Sequence, residues 1–171
     1  MNQTSAINQP PSARLTAEPV TSAVRSLAAL LILTGGLVHL HLWDGGYRNV
    51  DNVGVMFLLN AISSIVVAVV LVTWRHWIPV LAAFGLVIGS LLAFGVSRMG
   101  WDIAGFAGFE ERGWNPSPEA AVAVIVEIAA AVLLVWLLAA SFSSAASAGR
   151  TALPPPVTGR DGLPRLSPPA A

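Results

Sequence analysis

The chain has 171 residues, 55% hydrophobic and only 11% charged, with nine arginines, nine acids and no lysine or cysteine. A balanced charge gives no electrostatic footprint for nucleic acid, and the lack of cysteine excludes disulfides, thiolate metal sites and a cysteine nucleophile. Soluble domains carry about 25% charged residues, so the deficit points to a chain that meets lipid.

In chain order, residues 1–21 are polar and hold Pro10, Pro11 and Pro19, which reads as a disordered tail. Four long apolar stretches follow, at 22–43, 53–74, 77–97 and 120–142. Each is close to the ~20 residues that carry a helix across about 30 Å of hydrocarbon. They are apolar nearly all round, unlike the striped helices of soluble domains. The fold class is therefore all-α, a polytopic bundle of four transmembrane helices. The first stretch ends in His39, His41 and Trp43 without a small-x-small cleavage site, so it reads as a retained anchor and not a signal peptide.

Between the second and third stretches, Trp74-Arg75-His76-Trp77 leaves room only for a tight hairpin, which makes those helices antiparallel neighbours. Ser117, Pro118 and Glu119 form a start signal for the fourth helix, as N-cap, first residue and favourable charge. The loop 98–119 interleaves Trp101, Ile103, Phe106 and Phe109 with Gly100, Gly105 and Gly108. It suits an interfacial segment, either a belt anchor or a lid. Residues 143–171 are rich in Ser, Ala and Pro and read as a second disordered tail.

Arg14, Arg25, Arg75, Arg150, Arg160 and Arg165 fall on one side of the implied topology, and Arg48, Arg98 and Arg112 on the other. Arginine-rich loops stay in the cytoplasm, so both termini and the 74–77 turn are expected inside, in a bacterial inner membrane. Trp43, Tyr47, Trp101 and Trp114 on one side, and Trp74 and Trp77 on the other, match the aromatic belts of the headgroup level.

Small and polar residues recur at four-residue spacing. Asn60, Ser64 and Ala68 form one series, Ala123, Glu127 and Ala131 another, and Gly85, Gly89 and Ala93 a third. Lipid supplies no hydrophobic drive between helices, so small stripes of this kind hold bundles together. The glycine series is expected to pack helices, within the chain or in a homodimer. Glu127 is the one acid well inside a span. A charged carboxylate there costs on the order of 3 kcal/mol, so it needs an interior partner or a proton. Asn60, Ser64 and His39 are the other candidates for an intramembrane polar site. A purely structural role would pair a neutral Glu127 with Asn60 or a backbone carbonyl. His39 and His41 cannot share a metal, because residues two apart on a helix face different ways. A second inward histidine for haem is missing at matching depth, and no P-loop, GxSxG or HExxH motif occurs. No metal, cofactor or nucleic acid is expected.

The runs Gly36-Leu37-Val38-His39-Leu40-His41, Tyr47-Arg48, Phe57-Leu58-Leu59-Asn60-Ala61, Pro118-Glu119-Ala120 and Glu127-Ile128 resemble small four-helix membrane proteins of GC-rich bacteria. The resemblance covers about residues 26–140 and implies this topology, but no activity. The expectation is a non-enzymatic subunit, scaffold or envelope accessory in contact with lipid and a membrane-protein partner. The alternatives are a small proton-linked transporter using Glu127, and a haem- or metal-handling protein using His39.

Overall fold

The computed structural model describes residues 11–99, 110 and 112–151. Four helices form the architecture: α1 (Pro11–Asp44), α2 (Val53–Thr73), α3 (Trp77–Met99) and α4 (Glu119–Thr151). The described residues contain no strand. Within these helices, Val20–Asp44, Val53–Thr73, Trp77–Met99 and Glu119–Ser143 are long and apolar enough to cross a membrane. At 1.5 Å per residue even the shortest, with 21 residues, spans about 30 Å. The chain is a small multi-pass membrane protein.

Helices α1 and α4 run further into the flanking segments than the apolar stretches do. Pro11 takes the first helical position, where its missing N–H has no intrahelical partner. Ala13, Arg14 and Leu15 then favour continuation. Ala145, Ala146 and Ala148 do the same at the far end of α4. The remaining tail residues, 1–10 and 152–171, lie outside the described residues, as do 100–109 and 111, which carry most of the interfacial-loop reading.

Residues up to Ala139 form one compact unit, and those from Ala140 onward a second, whose described part is the end of α4. The core of the first unit draws on all four helices. Ala28, Ala29 and Ile32 of α1 meet Ala68 and Leu71 of α2, Val80, Ala83 and Val87 of α3, and Ala130, Leu134 and Leu137 of α4. Large apolar side chains face outward instead: Leu92 is 64% exposed and Ile125 66%. Alanines thus share the core with Ile32, Leu71, Leu134 and Leu137, and many other bulky apolar side chains face outward, as expected where lipid is the solvent.

The closest approach is between α1 and α2. A Cβ added to Gly36 would lie 2.5 Å from Ser64 Cβ and 3.4 Å from the Ala61 carbonyl oxygen. At the α1–α2 connection, a short 3-10 turn (Tyr47–Asn49) folds onto the start of α2. A Cβ at Gly54 would stand 2.6 Å from the Tyr47 carbonyl oxygen, so only glycine lets this turn close.

The opposite end holds the α2–α3 hairpin, in which Trp74 is extended and α3 begins at Trp77. The His76 imidazole Nδ1 accepts a hydrogen bond from the Ile78 N–H at 3.3 Å, capping α3. Arg25 of α1, only 7% exposed, reaches into this hairpin. Its guanidinium donates to the carbonyls of Leu71 (3.3 Å), Trp74 (3.4 Å) and His76 (3.2 Å). A cation thus satisfies the orphan carbonyls at the negative end of α2. Arg75 donates to Ser22 Oγ at 3.4 Å beside it.

The start of α4 differs slightly from the sequence reading. The helix begins at Glu119, and the Pro118 carbonyl accepts from the Val122 N–H at 3.0 Å. Pro118 therefore holds the capping position, and Ser117 lies one residue outside it. The Ala120 N–H donates to the Pro116 carbonyl oxygen at 2.8 Å, so Pro118 lies within this first turn, where its missing N–H costs nothing.

Candidate functional site in the bundle

On α4 the buried series Ala120, Ala123, Glu127, Ala130, Leu134 and Leu137 follows the three-and-four spacing of one helix face. Glu127 is therefore held inside the bundle, 7% exposed. On α3 the buried face is Val80, Ala83 and Val87. The next position in that series is Ser90, which the same face carries toward α4.

Ser90 Oγ lies 2.6 Å from Glu127 Oε1 and 3.4 Å from His39 Nε2. His39 Nδ1 is 2.9 Å from the Gly35 carbonyl oxygen. That carbonyl can only accept, so Nδ1 carries a hydrogen and Nε2 is the nitrogen turned to Ser90. The serine has one hydrogen to give. If it donates to Nε2, then His39 is neutral and Glu127 is the protonated acid that donates to Ser90. If it donates to a Glu127 carboxylate, then Nε2 carries a hydrogen and His39 is a cation. The two arrangements hold the same number of protons and interconvert through the Ser90 hydroxyl.

This line borders a cavity of about 400 Å³ whose wall also includes Phe57, Asn60, Gly85, Gly89 and Phe94. Measured along the helices at 1.5 Å per residue, Asn60 lies about 10 Å from the start of α2 and Glu127 about 12 Å from the start of α4. The cavity thus sits in the half of the bundle nearest the α1–α2 connection. Its aromatic edge continues outward: His39 and Phe57 have centroids 5.1 Å apart, and Phe57 stacks on Tyr47 at 4.7 Å.

His39, Asn60 and Glu127, expected to converge, do border one cavity. Ser64 does not face it, but donates to Asn60 Oδ1 at 3.2 Å from beneath. Among the described residues, Glu127 pairs with Ser90 and not with Asn60 or a backbone carbonyl. His41 is exposed and turned away from His39. His76 lies in the hairpin at the opposite end, so no second inward-facing imidazole stands at the depth of His39. The described residues hold no cluster of three His, Asp or Glu.

Of the two roles expected for the glycine series, packing within the chain is not found among the described residues: a Cβ at Gly85 or Gly89 would meet no described atom within 4 Å. The α3 face that packs is the Val80-Ala83-Val87 series, which turns Gly85, Gly89 and Ala93 toward the cavity. Ser90 escaped the sequence reading because the glycine spacing drew the α3 stripe one residue too early. The signal was present, since Ser90 continues the Val80, Ala83, Val87 spacing.

Comparison with protein-family models, curated proteins and solved structures finds no match to this chain.

Proposed function

We propose that this membrane protein is a small, non-enzymatic proton-linked carrier in which Glu127 is the group that takes up and releases the proton. The observation that supports this most is the Glu127–Ser90–His39 line bordering a cavity within the membrane-spanning helices. Ionisable groups inside a membrane are costly and mark ion and substrate pathways. A scaffold needs the packed core but has no use for a ligand-sized cavity bordered by a carboxyl group and an imidazole. Haem ligation is less well supported, since His39 Nε2 turns to Ser90 and no second inward-facing imidazole shares its depth.

The arginine asymmetry supports an inner-membrane orientation with both termini in the cytoplasm and the cavity in the outer half. Reporter fusions at Ala171 and Gly108 are expected to report opposite compartments, and a periplasmic signal from Ala171 would reverse the assignment.

Difference titration of the wild type against Glu127→Gln, both in nanodiscs, tests the carrier reading. The wild type is expected to exchange one more proton with the medium than the variant does. Melting temperatures should agree, because an amide can hydrogen-bond to Ser90 as the neutral acid does. Equal proton exchange by the two proteins would return Glu127 to a structural role.

A further inference from the structure

Resting on the proton-linked reading, we propose that the cavity binds a small organic cation with an apolar body, which replaces the proton on Glu127. The cavity wall is formed mostly by apolar side chains, with the phenyl rings of Phe57 and Phe94 on it and Glu127 its one carboxyl group among the described residues. Among the described residues no arginine lines it, and the chain has no lysine. Its size falls at the lower end of the ~300–1,000 Å³ typical of small-molecule sites.

A second observation concerns the aromatic wall itself. The Arg98 guanidinium carbon lies 4.3 Å from the centroid of the Phe94 ring, so one of the two rings already holds a cation of this chain. Arg98 also donates to the Asn115 carbonyl oxygen at 2.8 Å, which ties it to the segment before α4 and not to Glu127. Aromatic faces attract organic cations by their quadrupole, most strongly where water is excluded.

The charge balance follows from the groups that face the cavity. From α1 comes His39, from α2 the neutral Asn60 and Ser63, from α3 the neutral Ser90 and Ser97, and from α4 Glu127. With Glu127 protonated and His39 neutral, these groups carry no charge. A monovalent cation entering beside Glu127 needs the carboxylate, so one proton must leave. Ser90 donates its hydrogen to His39 Nε2 and accepts the one from Glu127. The proton then departs from His39, because a cationic imidazole would repel the bound ligand. One cation binds, one proton is released, and the net charge of the site stays constant.

Benzyltrimethylammonium is a suitable probe, since it carries a permanent charge and has no proton of its own to lose. Calorimetric titration of the full chain in nanodiscs, in two buffers of different ionisation enthalpy, counts the protons released. We expect one proton per bound cation where Glu127 is protonated, and a Kd that weakens about tenfold for each unit fall in pH there. Neopentylbenzene, the neutral carbon isostere, should bind at least tenfold more weakly. Glu127→Gln should abolish cation binding. Gly89→Leu, which fills the cavity while leaving Glu127 in place, should abolish it as well. Absence of cation binding, binding without proton release, or equal binding of the isostere would overturn the proposal. The ligand-free difference titration separates these outcomes from failure of the carrier reading, since Glu127 can exchange a proton whatever the cavity accepts.

Discussion

Replacing Gly36 with alanine is expected to destabilise the packing of α1 against α2. The added carbon would stand 2.5 Å from Ser64 Cβ, next to the first atom of a side chain and not a flexible end that can swing away. Overpacking of this kind costs about 1–3 kcal/mol. Alanine returns up to ~1 kcal/mol through helix propensity, so a net loss of up to about 2 kcal/mol remains. Gly36→Leu should prevent the α1–α2 pair from closing. Adding Ser64→Gly to Gly36→Ala should restore most of the melting temperature, because the colliding atoms are then gone. The neighbouring Gly35 provides the control. A Cβ there would meet Val126 and Glu127 atoms at 3.7–3.9 Å, ordinary contact distances, so Gly35→Ala should be mild. Equal melting of Gly36→Ala and wild type would contradict the close packing.

Arg25→Met is expected to lower stability by about 3 kcal/mol or more. Hydrogen bonds to a charged group contribute about 1.5–3 kcal/mol each, and Arg25 supplies three carbonyls at the end of α2 and in the hairpin. Methionine keeps the apolar stem and removes only the donors. Arg25→Lys should recover part of the loss, since an ammonium is a single point that cannot span three acceptors as a planar guanidinium does. Thermal unfolding in one detergent, followed for wild type and both variants, ranks them. Arg25→Met melting with wild type would show that the hairpin satisfies its carbonyls without this side chain.

The architecture was legible because the apolar stretches are long and almost free of charge, and because the 74–77 segment permits nothing but a hairpin. The polar convergence was legible too, since depth along a helix follows directly from residue number. Helix rotation was less accessible. Small residues stand on more than one face of α3, so spacing alone did not say whether Gly85 and Gly89 or Val80, Ala83 and Val87 turn inward. That choice depends on what α4 offers, and Glu127 takes Ser90 as its partner. Arg25 was read as an orientation signal only, because its three acceptors lie 46–51 residues away in the chain. Gly36 and Gly35 could not be told apart before their neighbours on α2 and α4 were in place.

Infrared spectroscopy of the reconstituted protein during a pH titration tests most directly whether Glu127 is a working proton site. The wild type should show a protonated-carboxyl stretch that grows as pH falls, shifts on exchange into heavy water and is missing from Glu127→Gln. Ser90→Ala should move that band, because the carboxyl group loses the hydroxyl 2.6 Å away. A Glu127 carboxyl band that keeps the same intensity at every pH at which the bundle stays folded would contradict the account.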